Sequence, residues 1–173
     1  MGHAAWEALA EQLGAVEDTA HGRAERGSDD LARAAIEKIL GEDEFRAAVD
    51  HYVARGRGSE LARSVLWLVR PDSAMQRCRE ISTESTDPEA RRAAVELLRV
   101  VADRRALQWV SGYLDDPDEG VQQWGIGIVD QLLFSDLIEP EDAEPLLRRA
   151  EEHPNAEVRA QAEGIRAFLK SRA

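Results

Sequence analysis

Four histidines, one cysteine and many carboxylates are the groups in this chain that could do chemistry. Their spacing limits what that chemistry could be. His3, His21, His51 and His153 form no His-Glu-x-x-His set or similar ligand pattern, so no metal is expected. The best local cluster is Glu44, Asp50 and His51, which reads as a solvated helix face with a partly packed imidazole. His153 precedes Pro154 and reads as a turn or capping residue. Cys78 lies in Met75-Gln76-Arg77-Cys78-Arg79. Two flanking arginines could lower its pKa and make it a nucleophile. Met75, Cys78 and Ile81 share one helical stripe, however, and a buried structural thiol is the commoner outcome. There is no P-loop, no Gly-x-Gly-x-x-Gly and no Gly-x-Ser-x-Gly. Gly125 and Gly127 flank Ile126 within a helical stretch, not on a phosphate-cradling loop. The expectation is a non-enzymatic protein without catalytic residues, metal or cofactor.

The elements that would position these groups follow from composition and period. The chain has 173 residues, 43% hydrophobic and only 5% aromatic. Its core must therefore be built from Ala, Leu, Val and Ile, and its length suits one domain or one short repeat array. Lys plus Arg is 22 and Asp plus Glu is 34, a net charge of −12. That opposes a general phosphate-backbone binder. The single Cys78 excludes an intrachain disulfide and fits a reducing compartment. Met1–Trp6 lacks a basic region followed by an apolar core, and no apolar run approaches a bilayer span. A cytoplasmic location is expected. The basic residues are 20 Arg and 2 Lys, a skew that suggests a GC-rich bacterial source.

Five segments align without internal gaps, starting at Ser28, Gly58, Asp87, Asp118 and Asn155. One column reads Leu31, Leu61, Ala90, Val121, Val158, and another, four residues on, reads Ala35, Val65, Ala94, Gly125, Ala162. Two such columns share one helix face. Each segment opens on a small or acidic residue suited to an N-cap. A second set of helical stretches lies between them, near residues 4–16, 43–55, 72–82, 103–114 and 141–152. In the fourth, Ala106, Leu107, Val110 and Leu114 repeat at helical spacing. The six prolines fall in turns or first helical turns by this reading. Gly14, Gly22 and Gly27 mark a long mobile loop over 17–29, and extra residues fall within 134–145. The unit is a helical hairpin of about 30 residues repeated five times. No period-2 alternation is sustained, so no sheet is expected.

The runs Thr86-Asp87-Pro88-Glu89-Ala90-Arg91-Arg92-Ala93-Ala94-Val95, Asp115-Asp116-Pro117-Asp118-Glu119-Gly120-Val121 and His153-Pro154-Asn155-Ala156-Glu157-Val158-Arg159 resemble HEAT repeats. The likeness is to the short bacterial form also seen in phycobilin-lyase-like proteins. It implies an all-α, right-handed α-solenoid of about five hairpins, one domain over 1–173 with units near 1–40, 41–71, 72–102, 103–139 and 140–173. It also implies a polar Asp–Arg ladder between second helices. Asp87/Arg91 and Asn155/Arg159 keep that pattern, whereas Gln122, Ala32 and Ala62 depart from it.

In such arrays the second helices line the concave face, which the resemblance assigns to Trp67 and Trp124. Both replace small or polar residues in their columns. Arg63, Arg70, Arg92, Glu96 and Arg99 would surround Trp67, and Gln123 and Asp130 join Trp124 in the expected partner-binding set. No Lys or Arg occurs between Arg105 and Arg148. That window carries an acidic patch of Asp115, Asp116, Asp118 and Glu119, with Trp109 and Phe134 read as core. The leading expectation is a protein-binding module, in concrete form a bacterial immunity or antitoxin-like protein with a basic partner. A phycobilin-lyase-like or other small-molecule-handling protein is one alternative, with Cys78 as its only handle. Nucleic-acid binding through Arg63, Arg92 and Arg99 is another, opposed by the charge. No membrane partner is expected, and oligomeric state is not legible.

Overall fold

The computed structural model describes residues 5–20, 22–101 and 103–172. His3, His21 and the start of the first expected helix at Ala4 lie outside them. The described elements are α1 (Trp6–Gln12), β1 (Val16–Thr19), β2 (Gly22–Glu25), α2 (Asp29–Leu40), α3 (Glu42–Val53), α4 (Ser59–Val69), α5 (Asp72–Glu84), α6 (Pro88–Val101), α7 (Leu107–Leu114), α8 (Glu119–Phe134), α9 (Pro140–Glu151) and α10 (Ala156–Arg172). From α3 onward the helical repeat is as read from the sequence, whereas the first expected hairpin is interrupted by the two strands between α1 and α2. No described helix is long and apolar enough to cross a membrane.

The caps explain where the second helices start. Ser28 accepts from the Leu31 N–H, Asp118 from Val121, Asp87 from Glu89, and Asn155 from Glu157. Each satisfies a backbone donor left free in the first turn. Gly58 has no side chain to cap α4 and instead turns the chain at φ 90°, a conformation that favours glycine. The segment expected as one helix over 103–114 divides into a 3-10 turn, Arg104–Ala106, and α7. Asp103 caps that turn by accepting from the Arg105 N–H at 2.8 Å.

Three expectations are corrected. The absence of a sheet fails, because β1 and β2 pair antiparallel with Val16 opposite Glu25 and Thr19 opposite Gly22. This hairpin occupies most of the span read as a loop. Its strands are almost wholly exposed, so no buried face imposes the alternation that marks a strand in sequence. Ion pairs hold it in place, Arg26 to Glu17 within the hairpin and Arg23 to Glu7 and Glu11 of α1. Pro145 lies inside α9, not at its first turn. It is exposed, so the one backbone bond it removes falls on the solvent side. Phe134 is exposed at the end of α8, beside Phe168 at 5.9 Å between ring centres.

From α3 onward, first helices (α3, α5, α7, α9) and second helices (α4, α6, α8, α10) form two layers with the core between them. Val49, Leu66, Met75, Leu98, Val110, Ile126, Leu147 and Ile165 run through it, each essentially inaccessible. Gly125 lets α8 approach α7 closely, since a Cβ there would lie 2.6 Å from Tyr113 Cβ. Polar links join successive repeats at the intra-hairpin turns. Arg92 grips Asp118 through two bonds of 2.7 Å, and Arg91 bonds Asp116. Asn155 donates to Gln122 at 2.9 Å, and Gln122 to the Asp116 carbonyl at 2.7 Å. The ladder thus continues through Gln122 as an uncharged rung. Asp87 itself caps α6 and leaves its place in the ladder to Asp116 and Asp118.

Candidate functional site

The row of second helices carries most of the sequence-selected residues. Arg63 and Trp67 are on α4 with Arg70 capping its end, Arg92, Glu96 and Arg99 on α6, and Gln123, Trp124 and Asp130 on α8. These helices are consecutive neighbours in one layer. A cavity of about 480 Å³ is bounded by Arg33 and Glu37 of α2, Arg70 after α4, Arg105 before α7, and Leu137 after α8. Packed helices lie about 8–10 Å apart, so residues three repeats apart in a straight stack would be separated by roughly 25–30 Å. Their meeting around one cavity brings α2, the ends of α4 and α8 and the starts of α5 and α7 to one edge of the stack.

Three guanidinium Nε atoms on this row are buried without an acceptor, those of Arg63, Arg70 and Arg99. Arg99 lies over the Trp124 ring, 5.5 Å from its centre, a contact that orients both side chains. Gly127 makes room for it, since a Cβ there would lie 3.0 Å from Arg99 Cδ. Arg70 ends α4 at φ 49°. Burial, and then the like charge of Arg33, draw its pKa downward. Arg63 and Glu96 converge on Tyr52 of α3, whose hydroxyl is pushed up to about 12 by burial and by the Glu96 carboxylate. Trp67 stands 51% exposed on the same helix as Arg63, which Arg70 caps. The face therefore combines an open indole, a half-buried indole under a cation, and guanidinium Nε groups with no acceptor among the described residues.

Other selected residues do not join this face as free groups. Arg92 is taken up by Asp118 and Glu89, which makes it a structural tie and breaks the proposed Arg63–Arg92–Arg99 basic strip. Of the acidic patch, Asp116 is held by Arg91, Asp118 by Arg92 and Asp115 by Arg149. Arg92 holds the Asp118 carboxyl below the usual carboxylate range. Only Glu119 of the four has no ion pair among the described residues. The arginines come from α6 and α9, so a window without basic residues in sequence receives them in space. Gln123 is exposed and Asp130 half-buried.

The reactive candidates lose their accessibility. Cys78 is fully inaccessible, and burial pushes its thiol well above the ordinary range. Arg77 is turned to Asp50 and Glu80, and Arg79 to the buried Trp109. His51 bonds the Arg57 carbonyl at 2.9 Å and so braces the α3–α4 turn. His153 is buried, with Nδ1 accepting from the Asn155 N–H and Nε2 2.9 Å from the Leu114 carbonyl. Its turn role is as expected, and it also ties the fifth repeat to the fourth. No group of three His, Cys, Asp or Glu side chains suited to a metal ion occurs among the described residues.

Glu37 is the residue that sequence reasoning missed. It is the one buried residue of α2, and it accepts from the Asp72 and Ser73 N–H groups at 3.0 and 2.8 Å and from the Ser73 hydroxyl. A carboxylate from one repeat thus caps the first helix two hairpins along. The signal was present only as a polar residue in a column shared with Trp67 and Glu96.

A family profile described as HEAT repeats matches residues 75–166. No curated protein and no solved structure matches the chain. The match runs from α5 into α10, where the hairpins are regular and their inter-repeat ties complete. With more than half of its length matched, the chain belongs to the HEAT-repeat family.

Proposed function

We propose that the chain is a non-enzymatic protein-binding module, with its partner seated along the inner row of second helices. HEAT repeats generally mediate protein–protein contacts. Trp67 and Trp124 are the anchors, and Arg63, Arg70 and Arg99 are the polar donors around them. The observation that carries this reading is the exposed Trp67 indole in one row with the Trp124 ring beneath Arg99. Aromatic and arginine side chains in such settings commonly dominate interface energy.

The partner is a protein with a basic surface, as for an immunity or antitoxin-like protein in a bacterial cytoplasm. Size and the net charge of −12 support this narrower form. Internal ion pairs cancel charge locally, but the surplus remains as a long-range field that attracts a basic partner. The test is affinity capture read by mass spectrometry, with Trp67→Ala and Trp124→Ala alongside the wild type. Each substitution is expected to weaken capture by about tenfold or more. Retention by both variants would reject the inner face. A salt-insensitive association rate would reject the electrostatic attraction alone.

A further inference from the structure

The N-terminal end of the array departs from the repeat pattern in a way the inner face does not explain. Leu61, Val65 and Leu68 of α4 are 71%, 40% and 65% exposed. The same columns are buried in later repeats, as Val121, Gly125 and Ile128 in α8 and Val158, Ala162 and Ile165 in α10. In α2, Ile36 and Ile39 are 39% and 47% exposed. Their equivalents are buried in the next three second helices, Leu66 and Val69 first among them. Leu66 and Val69 are the only buried residues of α4, and α3 is its main neighbour. This pair of columns is therefore the one a second helix turns toward the first helix of its own hairpin. For α2 that helix is α1, and α1 has no buried residue.

α1 has the surface to fill this gap. Trp6 and Leu9 of α1 and Leu13, which caps it, recur at i, i+3 and i+7, the spacing of one helix side; Trp6 is exposed and the two leucines are half-buried. Glu7 and Glu11 lie off that side, bound by Arg23 of β2, so α1 and the β-hairpin can travel together. The connector from Leu13 to Ser28 is sixteen residues, whereas helix–helix connections commonly run about 2–8. We propose that this end is a helix-docking face and that its occupant is α1 of the same chain. The strap turns about exposed Arg26–Ser28 and lays Trp6, Leu9 and Leu13 on Ile36, Ile39 and the Leu61–Val65–Leu68 stripe. Tethering favours this occupant over a second copy, because a connector of this length still holds α1 at a local concentration of about 1 mM. Docking completes the first repeat, and release exposes an apolar stripe continuous with α4.

Deuterium exchange of the full chain tests this, comparing wild type with Ile39→Glu and Trp6→Ala. Both positions are outside the buried core, and exchange in α5–α8 reports whether the array itself is intact. Amides of α1 are expected to be protected in the wild type and to exchange about tenfold faster in either variant. Equal α1 exchange in all three proteins would overturn the proposal. So would light scattering that shows a wild-type dimer dissolved by Ile39→Glu with α1 exchange unchanged, because a second copy would then cover the stripe.

Discussion

Glu37 shows how one side chain can join distant parts of the chain. Its carboxylate serves two backbone donors at the start of α5, where the helix dipole also favours negative charge. Glu37→Ala would leave those donors unmatched. It is expected to lower unfolding free energy by about 1–3 kcal/mol in denaturant titration, with partial recovery in Glu37→Gln. Cys78 gives a second test at this scale. Its burial predicts no modification by a thiol reagent in the native state and rapid modification in denaturant, since only an accessible thiolate reacts. Carboxylates set the pH response. Arg46 holds Glu80 and Arg92 holds Asp118 below the ordinary range, and Glu144 lies at about 2 beside Arg166. A depressed folded-state pKa means that the contribution is complete above the unfolded value and is lost as pH falls through the folded one. Thermal stability is therefore expected to hold from pH 7 to about 5 and to decline below about 4, where unfolded carboxylates begin to bind protons. A melting temperature unchanged down to pH 2 would contradict these pairings.

The elements differ in how strongly their surroundings constrain them. α8 is sealed on several sides and carries eight buried residues, from Val121 to Leu133. Gly125 permits its approach to α7. Gly125→Ala is expected to destabilise the fold by about 1–3 kcal/mol, because a backbone-adjacent Tyr113 Cβ has little freedom to move. The change would be read from thermal or denaturant unfolding. α1 is the opposite case, an amphipathic helix with nothing buried. Most helix boundaries were legible to within a few residues from caps and period. The hairpin between α1 and α2 was not, because its bonds are backbone pairs between mostly polar, exposed residues. Pro145 was placed wrongly because a proline reads as a helix start, and in α9 that place is held by Pro140, five residues earlier.

Across the whole molecule, charge is redistributed by the fold. The window from Ala106 to Leu147 contains no basic residue, yet Arg91, Arg92, Arg149 and Arg172 reach its carboxylates. Raising salt is expected to slow association with a basic partner without abolishing it, since the net charge of −12 is screened while anchors such as Trp67 are not. Stopped-flow rates at several ionic strengths would measure this. The sequence by itself determined the helical repeat, its family and the row of residues on α4, α6 and α8. Those follow from local period and capping, which act within a few residues. Only the tertiary structure decided which charges remain unpaired, which tryptophan is open, and that the first hairpin is unclosed. These depend on what neighbouring repeats bring to each surface, and a one-dimensional pattern does not carry the distances between residues about thirty positions apart.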